Sequence, residues 1–194
     1  MTSQTGATLR LGHGYNQRTF HKGPVMTISM YAASVPVFEQ MLKALSAILT
    51  KAEAHATQKN IQPEALLQAR LFPDMLNFTR QVQIAVDFAK GASARLAQVE
   101  MPKYDDTETT FAELQALLAK TLEFIGSIKP EQIDGSEALE IILRPGTPKE
   151  KRFTGQSYLL TYSLPQFFFH VTTAYDLLRH NGVEIGKRDF MGTV

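Results

Sequence analysis

Apolar residues recur every three or four positions along most of this chain, and that spacing predicts four long helices, each burying one stripe. Phe38, Met41, Leu42, Leu45, Ile48, Leu49 and Ala52 form the first stripe, in a segment running from Met26 to about Gln58. Pro36 near its start sets the opening turns apart, with Ser34 as their cap. Asn60 to Leu71 reads as a loop holding one or two helical turns begun by Pro63. The second helix is expected to start near Pro73 and Asp74 and to bury Met75, Phe78, Val82, Ala85, Ala89, Ala92 and Leu96. Gly91 inside it costs about 1 kcal/mol relative to Ala, which suggests close packing at that point.

Glu100 to Asp106, with Pro102, reads as a linker. Thr110 and Glu113 then spell a capping box, ahead of a third stripe through Phe111, Leu114, Leu118, Ile125 and Ile128 that Pro130 closes. Between residues 139 and 153 the period shortens. Leu139, Ile141 and Leu143, a Pro145-Gly146-Thr147-Pro148 turn, then Lys151 and Phe153 predict a short hairpin or ordered loop. The fourth helix runs from about Thr154 to His180 and stops at Asn181-Gly182. Pro165 interrupts it, so a kink is expected near Ser163. The pattern is that of an all-α, up-and-down four-helix bundle with the hairpin between helices three and four.

Composition narrows the function more than it names it. The 194 residues suffice for one domain with a substantial core, placed at residues 26–194. Residues 1–25 are basic and glycine-containing without the apolar stretch of a secretory signal, and are expected to be a flexible extension. Twenty basic against nineteen acidic residues leave a net charge of +1, which gives no electrostatic reason to expect nucleic acid or an anionic membrane as partner. There is no cysteine, which excludes disulfides, thiolate nucleophiles and Cys-ligated metals and fits a reducing cytoplasm. No apolar run approaches the roughly 18 residues needed to span a bilayer.

Candidate chemistry centres on His170. It is the one histidine inside a dense apolar run, Phe167 to Val171, with Gln166 one helical turn before it and Thr173 and Ala174 one turn after. Gln81 points within about 50° of the centre of the second helix's apolar stripe, at about 100° per residue, whereas Gln83 points nearly away. An inward glutamine needs partners, and His170 is the one expected. Tyr31, Tyr158, Tyr162 and Tyr175 carry polar tips on aromatic bodies suited to a core or an interface. Arg179 through Phe190 is polar and reads as a docked tail, while Asp105 and Asp106 read as linker and capping charges.

The stretches Thr27–Pro36, Arg70–Met75, Arg80–Ala85, Ala89–Gly91, Thr109–Leu114, Phe153–Gln156, Phe169–Tyr175 and Arg179–Lys187 resemble an uncharacterised, domain-of-unknown-function branch of the DinB/YfiT-like superfamily. The likeness extends over about residues 26–192. It implies a four-helix bundle, often homodimeric. Better-known members hold a divalent metal through one histidine on the second helix and two on the last, spaced four apart, and some act as hydrolases or thiol transferases. Matched to that pattern, His170 takes the first of the last-helix positions and Ala174 the second, while the helix-two position falls on Gln81 or Gln83. Alanine coordinates nothing and a glutamine oxygen is a weak ligand for zinc or nickel. The expectation is therefore no cofactor, with His170 and Gln81 the only weak metal donors.

Three readings follow. The first is a metal-free homodimeric bundle that binds a small molecule or a protein, with His170, Gln81, Gln166, Tyr31, Tyr162 and Tyr175 as its pocket residues. The second is an enzyme of hydrolase or transferase type using His170 as its acid–base group in a degenerate pocket. The third is a weak metal site completed by some further residue.

Overall fold

A computed structural model of the chain describes residues 28–193. The expected extension, residues 1–25, lies outside the described residues, as do Met26 and Thr27. Four long helices dominate: α1 (Val35–Lys59), α3 (Phe78–Leu96), α4 (Phe111–Ser127) and α7 (Leu164–His180). Shorter pieces are α2 (Pro63–Leu67), α5 (Pro130–Ile133), α6 (Gly155–Ser157) and α8 (Lys187–Met191). Strands β1 (Glu140–Leu143) and β2 (Lys151–Thr154) make one antiparallel hairpin, pairing Ile141 with Phe153. Among the described residues, no helix is long and apolar enough to cross a membrane.

The stripes read from the sequence are the faces that pack. Phe38, Leu42, Leu45, Ile48 and Leu49 of α1 are fully buried, as are Phe78, Val82 and Ala85 of α3 and Leu114 and Leu118 of α4. Helix α3 lies chiefly against α7 and α4, and α1 against α4 and α8, while the Phe38 and Phe167 rings meet edge-on at 4.9 Å to join α1 to α7. Consecutive long helices α1 and α3 touch less than either touches α4. Chain neighbours are thus not everywhere the packed neighbours, because α2 and the loop after it carry the chain past α1.

Two local expectations are corrected. Ser34 does not cap α1; its hydroxyl donates back to the Met30 carbonyl at 2.7 Å, since the preceding turn offers that acceptor first. Helix α3 begins at Phe78, not near Pro73, because Asn77 supplies the cap: its Oδ1 accepts the Arg80 amide at 2.9 Å. Met75 instead closes a turn onto the Phe72 carbonyl. The close packing expected at Gly91 is present, and the close neighbour is the Arg95 side chain, whose Nη1 donates to the Gly91 carbonyl at 2.9 Å.

The capping box of α4 is formed, with Glu113 N–H donating to Thr110 Oγ1 at 3.1 Å and Glu113 Oε2 accepting the Thr110 amide at 3.0 Å. Hydrogen bonds from the Thr109 and Thr110 backbones and side chains hold the Glu113 carboxyl below its usual range. The linker after α3 is pinned by Tyr104, whose ring receives Lys90 Nζ at 3.9 Å from α3 and Lys120 Nζ at 4.1 Å from α4. Before Pro165 the helix widens into a π segment, Tyr158–Ser163. Proline has no N–H to give and its ring crowds the carbonyl four residues earlier, so a wider turn is the low-cost way past it. The polar tail docks as expected, with Val183 and Ile185 buried and Asp189 of α8 paired with Lys51 of α1 at 2.6 Å.

Candidate functional site

Helices α3 and α7 bring Gln81 and His170 together inside the bundle. Gln81 Oε1 lies 2.7 Å from His170 Nδ1, and Gln81 Nε2 donates to the Leu76 carbonyl at 3.1 Å. The second bond decides the first. With its amino group committed to a carbonyl, Gln81 presents only oxygen to the imidazole, so His170 must carry its proton on Nδ1. Nε2 is then left with the lone pair, and no described side chain donates to it. His170 is 8% exposed, with the Phe88 ring stacked at 6.0 Å and the Phe169 ring edge-on at 5.2 Å. Burial pushes its pKa below the usual value and the Arg80 cation pushes it further the same way, so the neutral ring is the resident form at pH 7.

This donor set does not fit a three-histidine cage. Gln81 and His170 bond to each other rather than converging on a third point, and Ala174 sits fully buried one turn beyond with nothing to offer. Among the described residues no three His, Asp or Glu side chains gather closely enough to hold an ion.

The other candidate residues are spread out. Gln166 is half-buried a turn before His170 and makes no side-chain hydrogen bond among the described residues. Tyr31 packs at the start of α1, its amide donating to Asp134 Oδ1 at 2.8 Å. Tyr175 packs edge-on against Phe190 of α8 at 5.7 Å. Gln83 points away from the apolar stripe yet is buried, because the linker after α3 folds over that side and supplies Glu108, which accepts from Gln83 Nε2 at 2.9 Å. Asp106 of the same linker is ion-paired with Arg80.

Of the pocket tyrosines Tyr31, Tyr162 and Tyr175, it is Tyr162 that lines a cleft. Its ring meets Phe88 at 5.9 Å, and both line this cleft of about 330 Å³. Helix α3 contributes Ile84, Asp87, Phe88 and Arg95, the hairpin Leu143 and Arg144, the π segment Tyr158 and Tyr162, and the linker Met101. Arg95 Nη1 spans the Gly91 carbonyl and the Tyr158 hydroxyl, at 2.9 and 3.0 Å. Asp87 is paired with the buried Lys90 at 2.9 Å.

Sequence reasoning passed over Arg95 and Arg144. A basic residue in the last turn of a helix reads as a partner of its terminal carbonyls, and one beside a turn reads as solvated charge. Tyr158 was expected in a core or interface; it is indeed buried, and its hydroxyl meets Arg95. The signal that could have marked the cleft is Pro165, since the widened turn it imposes holds both tyrosines.

A domain of unknown function (DUF1993) matches residues 30–191. A solved structure described as a DinB family member protein from Shewanella denitrificans superposes with a TM-score of 0.79 at 42% identity, covering 84% of this chain and 92% of that one. No curated protein matches the chain. The match spans most of the chain, and the chain therefore belongs to the DUF1993 family, on a DinB-like helical fold.

Proposed function

We propose that this protein is a metal-independent binding protein that takes a small ligand in the cleft between α3, the hairpin and the π segment, and that it works as a homodimer. The observation that carries the reading is the cleft itself: about 330 Å³, walled by Phe88, Tyr162 and Leu143, with a few polar groups at fixed positions. Metal independence is supported by the mutual engagement of Gln81 and His170 and by Ala174 beside them. Dimerisation is supported by exposed apolar side chains: Phe169 beside His170 at 57%, Leu76, whose carbonyl holds Gln81, at 43%, and Phe72 at 62%.

Three measurements test it. Filling the cleft with Leu143→Trp should abolish saturation-transfer NMR signals from a mixed library of ring fragments that bind the native chain; fragments binding equally to both proteins would sink the reading. Protein purified without chelator and then offered zinc or nickel should hold less than stoichiometric metal. Light scattering at micromolar concentration should return twice 21.6 kDa, and a monomer would remove the dimer.

A second reading is favoured by one specific feature. The Gln81 contact favours the Nδ1–H tautomer of His170 and leaves the Nε2 lone pair unprotonated, the form a general base needs. An enzyme of hydrolase or transferase type would use it so. A normally folded His170→Gln variant that still complements a deletion phenotype would count against it.

A further inference from the structure

Arg95 is held in place in the cleft by neutral groups, and its charge meets no counter-charge among the described residues. Its Nη1 is held by the Gly91 carbonyl and the Tyr158 hydroxyl, both neutral, and among the described residues no carboxylate lies within ion-pair range of its guanidinium. Holding Nη1 at two points orients the plane of the group and leaves Nε and both Nη2 protons without acceptors among the described residues. The cleft's own carboxylate does not supply one, because Asp87 is turned to Lys90.

The remaining charges agree in sign. Arg144 stands exposed on the rim with no ion pair among the described residues, and Lys151 Nζ sits 5.1 Å from the Tyr162 ring centre. Arg95 and Arg144 therefore line one cavity without a carboxylate partner among the described residues, with Lys151 over one of its rings, in a chain whose net charge is only +1. The apolar part of the wall is two aromatic rings, Phe88 and Tyr162, with Ile84, Leu143 and Met101 beside them. At about 30 Å³ per water, the volume takes a body of roughly ten non-hydrogen atoms.

We propose that the cleft binds a small aromatic carboxylate, its carboxylate on the free edge of the Arg95 guanidinium and its ring between Phe88, Tyr162 and Leu143. The guanidinium fork matches the two carboxylate oxygens, and aromatic walls accept a planar body. This rests on the cleft being the ligand site, and it names the ligand class.

The test is titration calorimetry of the full chain with benzoate, benzamide, phenyl phosphate and inorganic phosphate. Benzoate is expected to bind at least tenfold tighter than benzamide, which is its neutral equal in shape, and inorganic phosphate not to bind. Arg95→Gln should weaken benzoate at least tenfold and leave benzamide within a factor of two, while Arg95→Lys recovers part of the loss. Arg144→Gln, on the exposed rim, serves if Arg95→Gln fails to fold, and should weaken benzoate about threefold by removing one nearby charge. Equal binding of benzoate and benzamide overturns the carboxylate assignment and leaves the cleft as a site for neutral rings. Tighter phenyl phosphate than benzoate overturns it in favour of a phosphate monoester. No binding of any ring compound overturns both this assignment and the cleft reading.

Discussion

Gln81 Oε1 and His170 Nδ1, 89 positions apart in sequence, meet at 2.7 Å in the buried contact between α3 and α7. The bond does two things at once. It satisfies an amide and an imidazole that would otherwise be stranded among aromatic rings, and it sets which imidazole nitrogen keeps its lone pair. Replacing Gln81 by Ala leaves the Nδ1–H and the Leu76 carbonyl unpaired and should lower stability by about 1–3 kcal/mol, read as a shift of the urea midpoint at constant m-value. Because the two groups share one bond, Gln81→Leu and His170→Leu together should depart from additivity by about 0.5–3 kcal/mol.

The same histidine predicts a pH dependence. Its folded pKa lies below the ordinary 6.5, first through burial and then through Arg80. Below pH 6.5 the unfolded chain therefore takes up a proton that the folded chain refuses, so stability falls as pH drops from 6.5 toward the folded value and levels beneath it. His170→Gln should flatten that part of the profile. A wild-type urea midpoint that stays level from pH 7 to 5, once carboxylate effects are matched in the variant, would contradict the assignment.

Gly155 should be the least replaceable glycine of the hairpin region. A Cβ there would fall inside the contact distance of the Ser136 backbone carbonyl and 3.3 Å from Leu96 Cδ2. Backbone cannot swing aside as a side-chain tip can. Gly155→Ala is expected to cost about 1–3 kcal/mol, visible as a lowered Tm.

Gly91 offers the contrast. A Cβ at this position would press on Arg95 Nη1 at 2.5 Å, the far end of a flexible side chain. The gain of about 1 kcal/mol in helix propensity offsets the loss of one hydrogen bond worth about 0.5–1.5 kcal/mol, so Gly91→Ala should leave the Tm nearly unchanged. Benzoate affinity should nonetheless fall, since Arg95 loses its anchor. A large drop in Tm would show that Gly91 is held by something other than Arg95.

Thr110→Ala removes the hydroxyl that accepts the Glu113 amide and should cost about 0.5–2 kcal/mol, checked by denaturant titration.

Amino-acid order alone determined those features that rest on short-range rules. The stripes of α1 and α4, the Thr110–Glu113 box and the interruption before Pro165 each follow from spacing within a turn or two, where backbone geometry leaves little choice. Even the Gln81–His170 partnership could be expected, since an inward amide and an inward imidazole in one core must find each other. Other features belong to tertiary structure. Asn77 rather than Asp74 starts α3, Gln83 is buried by a linker, and α1 reaches α4 more fully than α3. The cleft is the clearest case, because Arg95, Leu143 and Tyr162 come from three segments that no periodicity relates. An arginine's meaning depends on whether a carboxylate lies within a few ångströms, and that distance is set only when the chain has folded.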